Sequence, residues 1–512
     1  MSKNFIKSLL VLVVFAVLTV VYFRKQLQQP AFNLIDDGYS LSVSQQLHDE
    51  YSVENWRQTL VNQELEKGRL RPAYYLYYFV IFLFSQSALA FWTAQAICLL
   101  VLIFLIYLFF NSAGLPWWLS VTAAIPLFLL PSLADNFLRL GPAESRQLLW
   151  LLIAFLALLV PSKKQFQLIQ YVTSIIFYLL ALATKETTLI ALPALLFLFT
   201  SRLKLQKRFW QLANVKKLFL PGGVVLLSLL FVILIPRSGY SSGLQFNVVE
   251  AKNNLFAARI SFPEAYWVLA LGAVSLIIRI TDQKNIRFFF EPQFLFSQLL
   301  FLLAVPFLLV PLFWPYQLER YFLPGQLFAW MFLVIEMWFF WQFFRSKPEH
   351  DGVKFLIAYL FVIFGITRFI FITSFLNSEK FISRLIESKK LWYEQYQYSD
   401  VLIRYLENSI RPNEKIFVTH NDYEVIYEIG LYASQFKRRE IQVWSENQQA
   451  AFAFGTSHQY TENAAQSFTQ TTPPTVLIGR GENMNEYPSA QALLPFDSSL
   501  RDDKQTWFIV VK

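Results

Sequence analysis

The sequence is poor in charged residues and in cysteine. Charged residues make up 15% of the 512 residues and hydrophobic residues 55%, whereas soluble globular proteins contain about 25% charged residues. This deficit excludes an ordinary soluble protein and indicates that lipid surrounds much of the chain. The only cysteine, Cys98, lies within an apolar run, so an intramolecular disulfide is excluded.

Motifs that bind nucleotides are also missing. The sequence contains no glycine-rich phosphate loop and no nucleotide-sugar motif, and the glycines at positions 479 and 481 indicate a turn because no dinucleotide-binding pattern surrounds them. The net charge of +9 does not indicate a nucleic-acid partner. The basic residues cluster in short loops between apolar runs, where the positive-inside rule of membrane proteins expects them.

What the sequence contains instead is a series of apolar runs, which recur from residue 8 to residue 375 and then stop. Lys3 and Lys7 precede the first run and no small-residue cleavage site follows it, so we interpret it as a retained helix rather than a signal peptide. We expect a transmembrane part over residues 1–375 and a soluble domain over residues 376–512. The apolar segments lie near residues 5–23, 73–87, 89–110, 115–133, 148–160, 166–183, 187–200, 217–236, 265–280, 294–313, 322–344 and 354–375.

The segment at residues 73–87 decides the topology. It has about 15 residues against the roughly 20 that a spanning helix needs, and its tyrosines favour the membrane interface. If it spanned the membrane, the basic loops at residues 163–164 and 202–217 would face outward, against the positive-inside rule. We therefore expect an α-helical multi-pass protein of the cell (plasma or inner) membrane, with about eleven spanning helices, a cytoplasmic amino terminus and the C-terminal domain outside.

The tail after the last apolar run alternates helical and short apolar segments. This alternation predicts a small α/β domain on the outer face. Its role is either the docking of an acceptor or packing on the membrane part. The predicted helices cover residues 382–407 and 422–436, and the predicted strands cover residues 415–420, 441–444, 475–479 and 507–511.

Polar residues of the first outer loop, residues 24–72, include two adjacent carboxylates, Asp36 and Asp37. Such a pair repels itself unless a cation, a hydrogen-bond donor or a hydroxyl to be deprotonated accounts for it. We treat both as candidate catalytic residues; the alternative is a solvated loop that leads into a helix at Tyr39. A divalent cation at this pair is left open, and no other cofactor is expected.

Candidate phosphate-binding groups lie in the first two outer loops. Arg69 and Arg71 close the first loop, and they either bind a lipid phosphate or anchor the chain at the interface. The second loop, residues 134–147, contains Asp135, Arg139, Glu144 and Arg146. Because unpaired charge is costly next to an apolar helix, Glu144 and Arg146 should pair or face a polar cavity; the alternative is an ordinary surface loop.

Two further outer segments contain cations next to apolar helices. Lys185 and Glu186 separate two apolar runs with almost no loop between them; either the lysine binds a phosphate and Glu186 orients it, or the two residues form an ion pair that caps two helix ends. Glu319, Arg320 and Tyr321 lead into the next helix. Here the arginine either clamps a phosphate or anchors the helix at the interface.

In their order and their common side of the membrane, these motifs resemble the GT-C superfamily of integral membrane glycosyltransferases, especially its protein O-mannosyltransferase and lipid A aminoarabinose transferase branch. The resemblance covers about the first 375 residues. It rests on the Asp36–Asp37 pair, the proline-tyrosine segment from Pro72 to Tyr78, Asp135, the turn at Lys185 and Glu186, and the segment from Glu319 to Pro324.

The resemblance implies an inverting sugar transfer from a polyprenyl-phosphate donor, in contact with membrane lipid, to an acceptor that the sequence does not identify. It also implies that Asp36 or Asp37 activates or orients the acceptor, although relatives often have glutamate at the position of Asp37. By similarity of placement, Lys185 and Arg320 would bind the donor phosphate. Alternatives are a polymerase or ligase of lipid-linked polysaccharide, and a transporter or flippase of a lipid-linked sugar. A transporter usually has charged residues within its spans or a repeated half, and neither stands out in the sequence.

Overall fold

The computed structural model describes the following parts of the chain, and the fold is given for these residues. They are residues 3–33, 37–66, 68–160, 166–203, 212–234, 248–261, 263, 266–273, 292–313, 318–345, 371–374, 379–409, 415–419, 429, 441–445, 450–454, 476–480, 484–485, 488–493 and 507–511.

Helices make up most of the described part. The α-helices are α1 (Lys3–Tyr22), α2 (Arg24–Gln28), α3 (Asp37–Asp49), α4 (Val53–Arg57), α5 (Gln63–Glu66), α6 (Pro72–Phe84), α7 (Ala88–Ser112), α8 (Trp117–Ala124), α9 (Pro131–Phe137), α10 (Glu144–Leu159), α11 (Gln167–Leu182), α12 (Leu192–Leu203), α13 (Leu212–Leu234), α14 (Val248–Ser261), α15 (Pro292–Leu309), α16 (Leu323–Arg345) and α17 (Phe381–Asn408). A π-helical turn covers Gln58–Asn62, and short 3₁₀ helices cover Ile125–Leu129, Glu186–Ala191, Val310–Phe313 and Glu319–Phe322.

Three helices of the described part are long and apolar enough to cross a membrane. They cover Ala88–Ser112, Leu295–Phe313 and Glu319–Gln342, and the pair Trp117–Leu129 and Pro131–Phe137, bent by 73°, would add a fourth if it is one span. The number of eleven spanning helices therefore stays a prediction. The apolar segments near residues 265–280 and 354–375 lie partly or mostly outside the described residues.

The helical part exposes many large apolar side chains, as helix α1 illustrates. Helix α1 buries Val11 and Phe15 but exposes Leu10, Val17 and Val21 by more than half of their surface. An apolar face of this kind on a packed helix is stable where lipid replaces water. The exposed valines therefore agree with the membrane location expected from the composition.

Local sequence sets the boundaries of two neighbouring helices. Helix α7 ends in a Schellman motif, since Leu115 N–H donates to Phe110 O over 3.1 Å and Gly114 has a φ of +91°. Glycine adopts this left-handed backbone without strain. Helices α8 and α9 are separated by a bend just before Pro131, which disfavours helical backbone at the residue before it.

Helix α6 corresponds to the tyrosine-rich segment that the sequence analysis treats as non-spanning. Its 13 residues measure about 20 Å at 1.5 Å per residue, against a membrane core of about 30 Å. Three of its four tyrosines, Tyr74, Tyr75 and Tyr78, are buried. Tyr74 donates to Gly141 O over 2.6 Å, and Tyr78 donates to Leu140 O. They fix the second outer loop on the first.

Two features of α16 concern its packing. A Cβ atom added at Gly325 would lie 2.8 Å from Leu308 N, so glycine allows α15 and α16 to touch just below the Glu319–Phe322 turn. Further along, Glu336 is 1% exposed and accepts a hydrogen bond from Ser297 of α15. This buried carboxylate inside a span was not singled out from the sequence.

The tail contains a long helix and a mixed sheet. Helix α17, which we call the tail helix, covers Phe381–Asn408 and confirms the predicted helix at residues 382–407. The sheet has the order β3-β2-β1-β4-β6-β5; β1 lies parallel to β2 and β4, and the other pairs are antiparallel. Its strands are β1 (Lys415–Thr419), β2 (Ile441–Ser445), β3 (Ala450–Phe454), β4 (Val476–Arg480), β5 (Gln491–Leu493) and β6 (Trp507–Val511).

Four of the six strands confirm the strands predicted from the sequence, and the two edge strands β3 and β5 were not predicted. The predicted helix at residues 422–436 lies outside the described residues except for Ile429, which is helical and buried. The boundary between domains at residue 375 stays a prediction. Contacts of the tail helix with the outer loops are described below.

The topology can be tested by labelling introduced cysteines. In a Cys98→Ser background, Val53→Cys should react with a membrane-impermeant maleimide in intact cells, because Val53 is 88% exposed and lies in the first outer loop. Lys207→Cys should react only after permeabilisation, because its basic loop is expected in the cytoplasm. Labelling of position 207 in intact cells would overturn the proposed orientation.

Candidate functional site

Polar residues from four segments that the sequence predicts on the outer side meet at one end of the helices, which we call the outer end after that prediction. They come from the end of the first loop before α6, from the second loop around α9 and the start of α10, from the turn between α11 and the Glu186–Ala191 helix, and from the Glu319–Phe322 turn. The ion pairs between these segments join residues more than 40 positions apart in sequence.

Arg71 and Glu186 form a two-bond ion pair. Arg71 Nε donates to Glu186 Oε2 over 3.0 Å, and Arg71 Nη2 donates to Glu186 Oε1 over 2.6 Å. Arg71 precedes α6, whose Pro72 occupies the first helical position, where its missing N–H is not needed. The planar guanidinium matches the carboxylate geometry, so this pair fixes the end of the first loop to the Lys185 turn.

Lys185 pairs with Glu144 rather than with its neighbour Glu186. The Lys185 ammonium donates to Glu144 Oε1, and the two residues are 5% and 2% exposed. Burial raises the pKa of the Glu144 carboxyl, but the charges of Lys185 and Arg320 outweigh this effect, so that its pKa lies below the ordinary value. Burial also lowers the pKa of the Lys185 ammonium, an effect that the Glu144 carboxylate opposes. The pair joins the start of α10 to the turn.

Arg320 is held through its backbone by α9. Its N–H donates to Asp135 Oδ2 over 3.1 Å, and its carbonyl accepts from Asn136 Nδ2 over 3.0 Å. Its guanidinium lies 5.3 Å from the Tyr321 ring centroid, and the same ring lies 4.8 Å from Lys185 Nζ. Both cations thus contact the face of the Tyr321 ring.

The remaining charges of the second loop and of the Glu319–Phe322 turn point toward the tail helix. Arg139 lies 3.8 Å from Asp135 and stacks over the ring of Trp392 at 4.2 Å. Glu319 accepts a hydrogen bond from Ser374 and lies 3.9 Å from Arg384 Nε of the tail helix. The structure therefore brings Asp135 to Arg320, whereas Arg139 and Glu319 contact the tail.

Arg69 belongs to a separate buried cluster around Glu64, which the sequence analysis missed. Glu64 has no exposed surface; its Oε2 lies 3.0 Å from Arg69 Nε, and its Oε1 accepts from Tyr75 over 3.0 Å and from Tyr39 over 3.4 Å. Nothing in the local sequence distinguishes Glu64 from the other acidic residues of the first loop. Its burial depends on contacts with α3 and α6.

Of the two candidate catalytic carboxylates, Asp37 is described and Asp36 lies outside the described residues. Asp37 is the first residue of α3, where a negative charge stabilises the helix amino end. It is 2% exposed, and its Oδ2 accepts from Asn33 N over 2.9 Å. The alternative of a solvated loop therefore does not apply to Asp37.

Arg146, which the sequence expected to pair or to face a polar cavity, lies beneath this site. Its guanidinium lies 4.7 Å from the Tyr77 ring and 5.1 Å from the Tyr78 ring, and it donates to Pro142 O over 2.5 Å. These contacts support the tyrosines of α6. They do not place the arginine with Glu144.

A small cleft opens between the Lys185–Glu144 pair and the outer ends of α15 and α16. Its lining changes from polar to apolar along its length. The polar end contains Glu144, Gln147, Lys185 and Thr187, and the rest is lined by Ile190, Phe307, Val310, Pro311, Tyr321 and Pro324. Gln147 donates to Thr187 and Thr188 over 3.0 and 2.9 Å, which fixes the polar end.

Metal ligands are not concentrated in the described part of the chain. Among these residues, no group of three or more histidine, cysteine, aspartate or glutamate side chains could hold a metal ion. Because Asp36 lies outside them, the divalent cation left open by the sequence remains a prediction.

Comparison with solved structures finds distant similarity to two membrane enzymes. The oligosaccharyltransferase AglB of Archaeoglobus fulgidus, in complex with an inhibitory peptide and a dolichol-phosphate, is 12% identical over 93% of this chain and 69% of its own, with a TM-score of 0.46. ArnT of Cupriavidus metallidurans, bound to undecaprenyl phosphate, is 12% identical over 99% of this chain and 98% of its own, with a TM-score of 0.39. Its apo structure gives 12% identity, 97% coverage of both chains and a TM-score of 0.39.

No protein-family model and no curated protein matches the chain. At 12% identity and TM-scores of 0.46 and 0.39, the similarity to solved structures does not assign the chain to a family.

The Arg71–Glu186 pair should contribute to stability. Arg71→Gln and Glu186→Gln should each lower the melting temperature of the purified protein, because each leaves a largely buried charge without its partner, a loss of about 1.5–3 kcal/mol. The double variant should lose less than the sum of the two. Arg57→Gln is the control, since Arg57 and its partner Glu54 are mostly exposed. An equal loss of melting temperature in this control would contradict the prediction. Losses in Arg71→Gln and Glu186→Gln that add up in the double variant would show that the two residues are not coupled.

Proposed function

We propose that this chain transfers a sugar from a polyprenyl-phosphate donor to an acceptor on the outer face of the membrane. The observation that carries the proposal is the cleft beside Lys185, whose lining changes from charged to apolar within one opening. A lipid phosphate has the same division, with an anionic group at one end and a hydrocarbon chain at the other. The acceptor is a hydroxyl of a protein, a lipid or a glycan.

The charges at the polar end suit the phosphate of such a donor. Lys185 lines the polar end, and the positive charges of Lys185 and Arg320 both act on the Glu144 carboxylate. The phosphodiester of a lipid-phosphate sugar has one negative charge. Transfer of the sugar converts it into a monoester with a second negative charge, and Lys185 can then shift its hydrogen bond from Glu144 to the phosphate. The second negative charge develops as the bond breaks, so Lys185 binds the phosphate more strongly in the transition state than in the bound donor. Stronger binding of the transition state than of the substrate is the condition for catalysis.

The reaction needs one further group, a base for the acceptor. The acceptor oxygen attacks the anomeric carbon, the bond from that carbon to the phosphate oxygen breaks, and the phosphate leaves with the bonding electrons. The acceptor proton passes to a carboxylate, for which we propose Asp36, with Asp37 as its orienting neighbour. Attack from the face opposite the phosphate inverts the anomeric centre.

Roles for the other predicted site residues follow from their contacts. Asp135 positions the backbone of Arg320, and Glu186 with Arg71 positions the turn that presents Lys185. Tyr321 contacts both cations through its ring and lines the cleft. Arg69, Arg139 and Glu319 support the loops around the site rather than contact the donor.

The direct test is transfer of labelled sugar from a purified polyprenyl-phosphate donor by the purified protein in lipid vesicles. Release of polyprenyl phosphate together with labelled acceptor supports the proposal. A transporter or flippase would move the labelled lipid across the bilayer without cleaving it, and that outcome would overturn the proposal.

Donor binding should depend on Lys185 and Arg320. Lys185→Gln and Arg320→Gln should each weaken binding of the polyprenyl-phosphate sugar by about tenfold to a hundredfold, the range for a charge-assisted hydrogen bond. Lys185→Gln alone leaves Glu144 buried without its cation and could unfold the protein. The double variant Lys185→Gln/Glu144→Gln is therefore measured as well, because it removes both charges and should preserve the fold. If the double variant and Arg320→Gln both bind the donor as tightly as the wild type does, Lys185 and Arg320 have a structural role and do not bind the donor.

Turnover should depend on the first-loop carboxylates. Asp36→Asn should lower kcat by about a hundredfold to ten-thousandfold, the usual contribution of a general base, with donor binding retained. Asp37→Asn should cost less if Asp37 only orients its neighbour, and the reverse ranking would exchange the two roles. Wild-type rates in both variants, measured with the same donor and acceptor, would remove these carboxylates from the mechanism.

A further inference from the structure

Helix α1 continues across Phe23 into α2, whose first two residues are the cations Arg24 and Lys25. Leu27 N donates to Phe23 O over 3.0 Å, so helical hydrogen bonding crosses the junction. The apolar part of α1, Ile6–Tyr22, measures about 26 Å at 1.5 Å per residue, close to the membrane core of about 30 Å. As the expected first span, α1 therefore brings Arg24 and Lys25 to the level of the lipid headgroups.

The tail helix packs against this end of α1 through two reciprocal contacts between a lysine and a tyrosine. Lys389 Nζ of the tail helix lies 3.7 Å from the ring centroid of Tyr22. One turn further along both helices, Lys25 Nζ lies 4.4 Å from the ring centroid of Tyr393. Each helix thus provides one ammonium group and one aromatic ring. We call residues 22–25, together with residues 389–393 of the tail helix, the α1 junction.

The cations of the α1 junction have no carboxylate partner among the described residues. By contrast Lys390, the next residue of the tail helix, lies 3.6 Å from Glu394. Burial lowers the pKa of the Lys389 ammonium to about 8, and no acidic side chain of the described part raises it again. A partly buried ammonium without a counter-charge is stabilised by any anion that binds beside it.

Tyr22 adds a hydrogen-bond donor next to Lys389. The residue is 8% exposed, and its hydroxyl has no hydrogen-bond partner in the part of the chain that the structure describes. Its ring is fixed by edge-on contacts with Phe23 and Phe128, at 5.6 and 5.7 Å between centroids. A buried hydroxyl that no protein group satisfies is uncommon, and it indicates that a bound group satisfies it.

The α1 junction borders a surface that faces lipid. On α1, Val20 and Val21 expose 57% and 65% of their surface, and on the tail helix Ile386, one turn before Lys389, exposes 61%. In the predicted orientation the junction lies on the outer side, where the positive-inside rule expects few cations next to a span. An anion that is itself a lipid accounts for both the cations and their apolar border.

We propose that the α1 junction binds the phosphate of an anionic glycerophospholipid from the surrounding bilayer. Lys25 and Lys389 bind the phosphate, with Arg24 adjacent, and the acyl chains lie along the exposed valines of α1. The junction shares no residue with the cleft beside Lys185. The inference therefore does not depend on the proposed sugar transfer. It also gives the tail helix a role at the membrane surface, since that helix provides one of the two lysines.

The test measures the melting temperature of the purified full-length protein in a neutral detergent while a short-chain phosphatidylglycerol is added below its micelle concentration. A ligand that binds the folded state raises the melting temperature as its concentration rises. Lys389→Gln should increase the half-maximal lipid concentration about fivefold, the effect of one cation on binding to an anionic lipid, and Lys25→Gln/Lys389→Gln about twenty-five-fold. Lys389→Arg keeps the charge and should respond as the wild type does.

Lys390→Gln is the matched control. It removes the same charge from the neighbouring residue, whose side chain is 70% exposed and pairs with Glu394. Its half-maximal concentration should stay within about twofold of the wild type, as for an exposed ion pair. An equal increase in Lys390→Gln, an unchanged response in Lys25→Gln/Lys389→Gln, or a loss in Lys389→Arg as large as in Lys389→Gln would overturn the proposal.

Two further ligands test whether the anion is a lipid. Phosphatidylcholine with the same acyl chains should show no dependence on Lys389, because its headgroup has no net charge. Inorganic phosphate at the same concentrations should leave the melting temperature unchanged, because it lacks the chains that contact α1. A response to phosphatidylcholine that Lys389→Gln weakens equally, or a response to inorganic phosphate equal to that of phosphatidylglycerol, would refute an anionic-lipid site.

A variant of the cleft separates the α1 junction from the proposed donor site. In Lys185→Gln/Glu144→Gln the response to phosphatidylglycerol should persist, because the cleft and the junction have no residue in common. Persistence of this response in a protein that transfers no sugar would leave the lipid site in place and remove only the proposed function. Loss of the response in this variant would locate the anion in the cleft and overturn the proposal.

Discussion

The buried ion pair between Glu144 and Lys185 is the interaction on which the proposed site depends. In an apolar chain, moving two charges away from water costs several kcal/mol each, which close pairing must offset. The pair can form only if the start of α10 and the turn after α11 lie together. This constraint creates the polar end of the cleft, and the ring of Tyr321 beside Lys185 places the Glu319–Phe322 turn against it.

The same constraint explains the other pairs and determines how a phosphate would bind. Arg71 and Glu186 neutralise each other through two short hydrogen bonds, so their charges are not available to an anion without loss of that pair. At the polar end of the cleft, by contrast, Lys185 pairs with Glu144, and the charge of Arg320 also acts on that carboxylate. Lys185 therefore lies next to the apolar lining, where a lipid-linked phosphate would need a cation.

How much of this could be predicted from the sequence differs between fold and site. The central strands β1, β2, β4 and β6 were predicted because each is a short run of β-branched and aromatic residues, whereas β3 is rich in alanine and β5 has three residues, so neither has a strand pattern. Lys185, Glu186 and Glu144 were selected because charge next to apolar helices is costly. Their partners were not predictable, because residues 41 and 115 positions apart are brought together only by packing.

Glu64 shows the limit of such reasoning more sharply. A glutamate in a polar loop has no local signal of function, and this one is buried because Tyr39 of α3 and Tyr75 of α6 pack against it. For the tail, the sequence left open whether it docks an acceptor or packs on the membrane part, since it shows only that hydropathy falls abruptly after residue 375. Hydropathy reports the solvent of a segment and not its neighbours. A helix that is too polar to enter the membrane can still complete a site at the membrane surface, where loops from several spans would otherwise be held only at their ends.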